Sequence, residues 1–228
     1  MTSKDNLANL SPAEKRKLLA ELLAKQGGNA PRLFPLASGQ KALWLMHQQD
    51  PAGAAYNTPF ALRLRSEIDP AALKKSFQLL AARHPSLRTT FSASADGQLL
   101  QTVHPTLEPH FQEISAKDWS PEQLHEEVVR AYRRPFSLEK GPLFRGDLFT
   151  VGPADHVLLI TIHHIVYDAW SAQILQRELS QIYLALSKGG TANLAPVRGN
   201  YQDFVAKQTE LVAGPVGRTC LLYTSRCV

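Results

Sequence analysis

The feature that most constrains this chain is a nearly uninterrupted apolar run, Val157-Leu158-Leu159-Ile160-Thr161-Ile162, which ends in His163-His164. A strand with one wet face alternates polar and apolar residues. A run apolar at successive positions suits a strand covered on both faces, so elements must pack above and below the sheet that holds it. After the histidines come Ile165-Val166-Tyr167 and Asp168. Then Ile174, Leu175, Leu179, Ile182 and Leu186 recur at helical spacing, predicting a helix from residue 169 to about 186. A buried strand thus delivers two imidazoles to its exit, beside the start of a helix. Side chains there can meet a ligand while rigid elements hold them in place.

The rest of the chain supplies the covering elements. Helices are expected over residues 39–49, from Asp69-Pro70 to about 83, and from Ser120-Pro121-Glu122 through 134. The last two open with a capping side chain and then proline at the first helical position. Leu73, Phe77 and Leu80 mark the buried face of the second. Strands are expected at 57–65, with Phe60, Leu62 and Leu64 on one side, and at 143–150 and 156–162. Two more should form a hairpin over 91–103 around Ala95-Asp96-Gly97. Alternating helices and strands give an α/β or α+β class, a mixed sheet flanked by helices. Ahead of this, Ser11-Pro12-Ala13-Glu14 opens an amphipathic helix carrying Leu18, Leu19, Leu22 and Leu23, and Gly27-Gly28 ends it. Residues 1–32 therefore read as a helical appendage and linker, and the main domain as 33–213.

Composition excludes several function classes. The net charge of +5 comes from scattered Lys and Arg, apart from Arg130, Arg133 and Arg134 on one predicted helix. A nucleic-acid surface needs a denser basic stripe, so no nucleic-acid partner is expected. No apolar run reaches the length of about eighteen residues that a membrane span requires. The N-terminus lacks the apolar core of a signal peptide, and both cysteines fall in the last nine residues, so a cytoplasmic protein without a disulfide framework is expected.

The residues of the His163–Asp168 stretch leave three chemistries open. Both histidines could be satisfied core residues, with Asp168 only a helix cap. They could be metal ligands with Asp168, although adjacent residues of an extended segment point to opposite faces and do not readily share one ion. Or one imidazole, a natural general base near neutral pH, could act on a nucleophile while Asp168 orders the loop behind it.

Five ordered segments carry a resemblance. His163-His164-Ile165-Val166-Tyr167-Asp168-Ala169 resembles the His-His-x-x-x-Asp-Gly motif of nonribosomal peptide synthetase condensation domains. Pro35-Leu36-Ala37-Ser38-Gly39-Gln40-Lys41-Ala42-Leu43-Trp44 is similar to the family's opening motif, keeping its Gln and its Leu-Trp pair. Arg83-His84-Pro85-Ser86-Leu87-Arg88-Thr89-Thr90-Phe91 resembles the second motif, Asn200-Tyr201-Gln202-Asp203-Phe204 the fourth, and the segment from Pro135 to Arg145 the stretch before the catalytic strand. Together they span roughly residues 33 to 209.

The resemblance implies a chloramphenicol-acetyltransferase-like fold of two lobes with a tunnel between them, of which this chain holds the N-terminal lobe. It implies an acyltransferase reaction in which an aminoacyl acceptor attacks a thioester donor to form a peptide bond. Both substrates would ride on the phosphopantetheine arms of partner carrier proteins, with no cofactor or metal bound directly. It makes His164 the catalytic residue. His163, Asp168, Ala169, Trp170, Arg83 and Arg88 would support the site: His163 facing away, Asp168 in an ion pair that holds the loop, and the two arginines as salt-bridging scaffold residues.

Departures from the pattern are specific. Ala169 replaces the motif glycine, and if that position needed positive φ or close substrate approach, its Cβ would cost free energy and narrow the tunnel. Ala37 and Ala42 stand where the opening motif has Ser and Arg, and Lys207 where the fourth often has Trp. Residues 214–228 match no family segment, and Cys220 to Ser225 can be encoded by a sequence resembling a transposon end used in library preparation, so this tail is expected not to belong to the fold. Second-lobe motifs are not found, and the isolated chain is expected to be inactive. Two other readings stay open: a carrier-protein docking module using the N-terminal helix, and an ester-forming acyltransferase of the same fold.

Overall fold

The computed structural model describes residues 30–197, 199, 201–215, 217 and 219. The amphipathic helix expected over residues 11–26 and the end of the tail, 220–228, lie outside the described residues. In chain order the elements begin with β1 (Arg32–Pro35), α1 (Ser38–Gln49), β2 (Asn57–Leu64) and α2 (Pro70–Arg83). Then follow β3 (Thr89–Ala93), β4 (Leu99–Val103), β5 (His110–Ser115) and α3 (Pro121–Arg133). The hairpin β6 (Phe144–Gly152) and β7 (Asp155–His163) leads through a 3₁₀ turn, His164–Val166, into α4 (Ala169–Leu186), and α5 (Tyr201–Ala213) comes last.

The main sheet grows outward from the β6–β7 hairpin, in the order β2-β7-β6-β5. β2 pairs antiparallel with β7, placing Asn57 opposite His163. β5 runs parallel to β6, which a tight turn could not achieve; α3 provides the crossover, making β5-α3-β6 a βαβ unit. β7 is therefore an inner strand, which is the reason for its continuous apolar run. Leu158, Ile160 and Ile162 face one core, which also holds Leu73, Phe77 and Leu80 of α2 and Leu175, Leu179 and Ile182 of α4. Leu159 faces the other, with Phe149 and with Leu124 and Ala131 of α3. Each fully buried side chain of this size is worth roughly 1.5–3 kcal/mol. The Phe77 ring stacks on Phe144 at 4.9 Å and lies so close to the backbone of β6 that a Cβ on Gly146 would sit 2.6 Å from it.

Local signals place the helix starts. The Asp69 carboxylate accepts from the Ala71 and Ala72 N–H groups at 2.9 and 3.0 Å, and Ser120 Oγ accepts from Gln123 N–H at 3.2 Å. The smaller sheet, β1-β4-β3, contains the expected hairpin, with Gly97 at φ 81 in its turn. Three details differ from the sequence reading. Arg32, assigned to the linker, opens β1 opposite Val103. β1 and β5 were not foreseen, because both are short strands whose pairing comes from the backbone and not from a repeating apolar face. On β2, Phe60 and Leu64 pack against the core, whereas Leu62 is 43% exposed; at a sheet edge, alternation alone does not guarantee cover.

Candidate active site at the exit of the central strand

Strand parity separates the two histidines. His163 lies on the same side of β7 as Leu159 and Thr161, and only 3% of it is exposed. Its Nδ1 accepts the Ile165 N–H at 3.1 Å, so that nitrogen carries no proton. The rings of His47 and Phe136 approach it edge-on, each at 6.0 Å. Burial, reinforced by His47 and His164, pushes its pKa down to about 4, which keeps the ring neutral at pH 7.

His164 leaves the ladder at the first residue of the 3₁₀ turn, and its ring is exposed. Its Nδ1 lies 2.8 Å from the Tyr167 carbonyl oxygen. A carbonyl can only accept, so Nδ1–H donates and the neutral ring presents the Nε2 lone pair elsewhere. The ring borders a cavity of about 310 Å³, walled by Gln40 and Leu43 of α1, by Thr89 and Gln101 of the smaller sheet, and by Tyr201 and Gln202 of α5. His163 and His164 thus sit in opposite environments, one buried and one exposed, and among the described residues no group of three or more His, Cys, Asp or Glu is gathered as ion ligands.

Among the described residues Asp168 forms no ion pair within salt-bridge distance, and its contacts are local. It is the N-cap of α4, accepting from Ser171 N–H at 2.8 Å and from the Ser171 hydroxyl at 2.6 Å. The physical reason is local: the free N–H groups of a helix start attract a carboxylate, and no guanidinium is needed to settle it. The Ser171 hydroxyl and N–H, with the nearby His164, hold the carboxyl below the usual range. Ala169 is the first helical residue, and no described residue other than glycine has positive φ, so its Cβ causes no backbone strain. Trp170, in the first turn of α4, is 78% exposed and lies outside the residues lining the cavity beside His164.

The arginines divide. Arg83 pairs with Glu178 of α4 through Nε at 2.8 Å and Nη2 at 3.2 Å, and His84 Nε2 meets the same carboxylate at 2.7 Å. Burial raises the Glu178 pKa, but Arg83 and His84 outweigh it and hold the carboxyl below its ordinary range. Arg88 is a scaffold residue without a carboxylate partner among the described residues. It donates to the carbonyls of Ala81, Ala82, His104 and Pro105, because the last turn of α2 and the chain just past β4 leave backbone acceptors that a guanidinium fork can reach.

Two glutamines belong to the site that residue-level reasoning did not single out. Gln101 is buried in β4 and donates to the Pro35 carbonyl at 2.7 Å, although a strand glutamine ordinarily reads as solvent-facing. Gln40 is 5% exposed and reaches the Ile165 carbonyl at 3.3 Å. Its only signal was its place in the opening motif. Among the described residues no helix is long and apolar enough to cross a membrane.

Residues 32–215 match the family described as Condensation domain. The chain is 43% identical over 187 residues to a linear gramicidin synthase from Brevibacillus parabrevis, covering 80% of this chain and 2% of that protein. It is 36% identical over 192 residues to a dimodular nonribosomal peptide synthase of Bacillus subtilis (strain 168), covering 83% and 8%. The first condensation domain of the calcium-dependent antibiotic synthetase, solved with a substrate analogue, matches with a TM-score of 0.72 and 26% identity, over 81% of this chain and 44% of that one. The mixed α/β arrangement is the N-terminal lobe of a chloramphenicol-acetyltransferase-like fold. Sequence and fold agree: the chain belongs to the condensation domains of nonribosomal peptide synthetases and spans a little under half of one such domain.

Proposed function

We propose that this chain, through residues 33–213, is the lobe that carries the catalytic histidine for peptide-bond formation between two carrier-protein-bound substrates. The acceptor's amine attacks the donor's thioester carbonyl, forming a C–N bond. His164 Nε2 takes a proton from the amine. Collapse of the tetrahedral species breaks the C–S bond, and the proton passes from Nε2 to the departing pantetheine sulfur. The partners are carrier proteins bearing phosphopantetheine arms and the neighbouring synthetase domains.

One observation carries this reading: the Nδ1–H of His164 is engaged by the Tyr167 carbonyl, and the ring borders the cavity. That selects the tautomer whose free nitrogen is a base. The contribution expected of a positioned base is roughly 10²- to 10⁴-fold. His163 holds the turn from the buried side, and Asp168 anchors α4 behind it.

The test is amide formation by the complete domain with carrier-bound donor and acceptor, with and without His164→Ala. Unchanged turnover in the variant would remove His164 from the chemistry. Offering hydroxy acceptors in parallel separates an ester-forming enzyme from a peptide-forming one. In the 228-residue chain His164 and Asp168 are exposed to water, and this chain alone is expected to make no amide; measured turnover by it would overturn that expectation.

A further inference from the structure

The 3₁₀ turn that carries His164 is gripped at one residue from two sides. Ile165 N–H donates to His163 Nδ1 at 3.1 Å. Its carbonyl accepts Gln40 Nε2–H at 3.3 Å, a contact between residues 125 apart in the chain. Gln40 also has a second partner. Its Oε1 accepts Ala37 N–H at 3.0 Å, tying back the start of α1, where Ala37 at the N-cap has no side-chain acceptor of its own. Both ends of the Gln40 amide are therefore used, and the side chain is fixed in direction: rotating it would place an N–H against an N–H and a carbonyl against a carbonyl. Two residues further on, the same turn presents the Tyr167 carbonyl that binds His164 Nδ1–H, while Tyr167 N–H returns to the His164 carbonyl at 3.4 Å.

We infer that Gln40 is a positioning residue: by tying the start of α1 to the Ile165 carbonyl, it holds the turn whose Tyr167 carbonyl selects the Nδ1–H tautomer of His164. The inference rests on the reading of His164 as the base, but its test does not. It links two segments that sequence alone treats as separate motifs, and it assigns the buried amide a chemical consequence at the cavity. A glutamine that only capped α1 would need Oε1 and have no use for a directed Nε2–H.

The experiment reads ring nitrogens by NMR in the full 228-residue chain, labelled with ¹⁵N at histidine. In the unaltered protein His164 should show the Nδ1–H pattern and His163 the Nε2–H pattern. Gln40→Glu keeps the acceptor for Ala37 N–H and removes the donor to Ile165. Gln40→Met keeps the volume and removes both. Losing the hydrogen bond to the Ile165 carbonyl, which both variants lack, should shift the His164 tautomer ratio toward Nε2–H by about fivefold in each folded variant. An unchanged His164 pattern in a variant that still melts cooperatively overturns the proposal, since a purely structural glutamine could lower the melting temperature without moving the tautomer. Should neither variant fold, the unaltered chain still decides. Slow exchange of the Gln40 side-chain amide protons supports the directed donor, and exchange at the rate of a free glutamine overturns it. Loss of activity in His164→Ala bears only on the catalytic reading, so failure of one idea is distinguishable from failure of the other.

Discussion

The two histidines that end β7 are neighbours in the chain and opposites in environment. On the α3 side of the sheet, His163 shares a face with Arg145, Asp147 and Thr161. This layer is closed. Asp147 is fully buried and accepts from Arg134 Nη2 at 2.6 Å, while Arg145 lies 4.0 Å from the centre of the Phe136 ring. Burial, with the charge of Arg134, pulls the Arg145 pKa down to about 10 against the opposing pull of Asp147. The layer is polar yet incompletely satisfied: Arg145 Nε, Asp147 Oδ2 and Thr161 Oγ1 have no hydrogen-bond partner among the described residues. On the other side, His164 stands in the open with one nitrogen engaged and the other turned elsewhere. The same side chain is thus made inert by desolvation in one place and available in the other. What separates them is a single residue of chain and the departure from the strand ladder that occurs there.

The largest expected effect tests the open side. His164→Ala in the complete domain should reduce amide formation by roughly 10²- to 10⁴-fold. Because the ring is exposed, thermal unfolding should change little, within about 0.5 kcal/mol. A large loss of stability would mean that His164 resembles His163 more than its surroundings indicate.

The next effect belongs to the closed side and is read by pH. His163 titrates near 6.5 when unfolded and at about 4 in the fold, so the unfolded chain binds the extra proton first. Its contribution is fully present above pH 6.5 and is lost as pH falls toward 4. At about 1.4 kcal/mol per unit this amounts to a loss on the order of 3 kcal/mol. Urea unfolding of the unaltered chain and of His163→Gln, at several pH values, isolates this share from that of the carboxylates. Parallel pH profiles for the two proteins would show that His163 is not the buried neutral group described.

Smaller effects sharpen the contrast between the two faces of the β6–β7 hairpin. Gly146 points into the apolar face, where Phe77 Cε1 and Cζ leave no room for a Cβ. Gly146→Ala should cost about 1–3 kcal/mol through overpacking, measured by denaturant midpoint. On the polar face, Thr161→Val replaces an unpartnered hydroxyl with a methyl of the same shape. It should be neutral or stabilising by about 1 kcal/mol, and a clear destabilisation would mean that Thr161 has a partner after all.

Much of this could be read along the chain, for identifiable reasons. Asp69-Pro70 and Ser120-Pro121 announced their helices because a cap acts within three residues of itself. Asp96-Gly97 announced its hairpin because the turn needs positive φ at one position. The double-sided apolar run of β7 announced an inner strand. The site was legible only in part. Asp168 was expected to pair with a cation; among the described residues its partner is the start of its own helix, a local contact that sequence spacing alone did not single out. Trp170, expected to support the site, is exposed on the first turn of α4, since the turn of a new helix decides which way its second residue points. Arg83 found its carboxylate, Glu178, on α4, whereas Arg88 met backbone carbonyls.

Sequence by itself determined the elements, their caps and the opposed facing of His163 and His164, since all of these follow from interactions within a few residues or from strand parity. The tertiary structure alone decided which groups meet across long stretches of chain: Gln40 with Ile165, Gln101 with Pro35, Arg83 with Glu178, and α5 with the cavity. Periodicity tells which face of an element is buried, but hydrogen bonds are directional. Which donor reaches which carbonyl is settled only when the elements have packed.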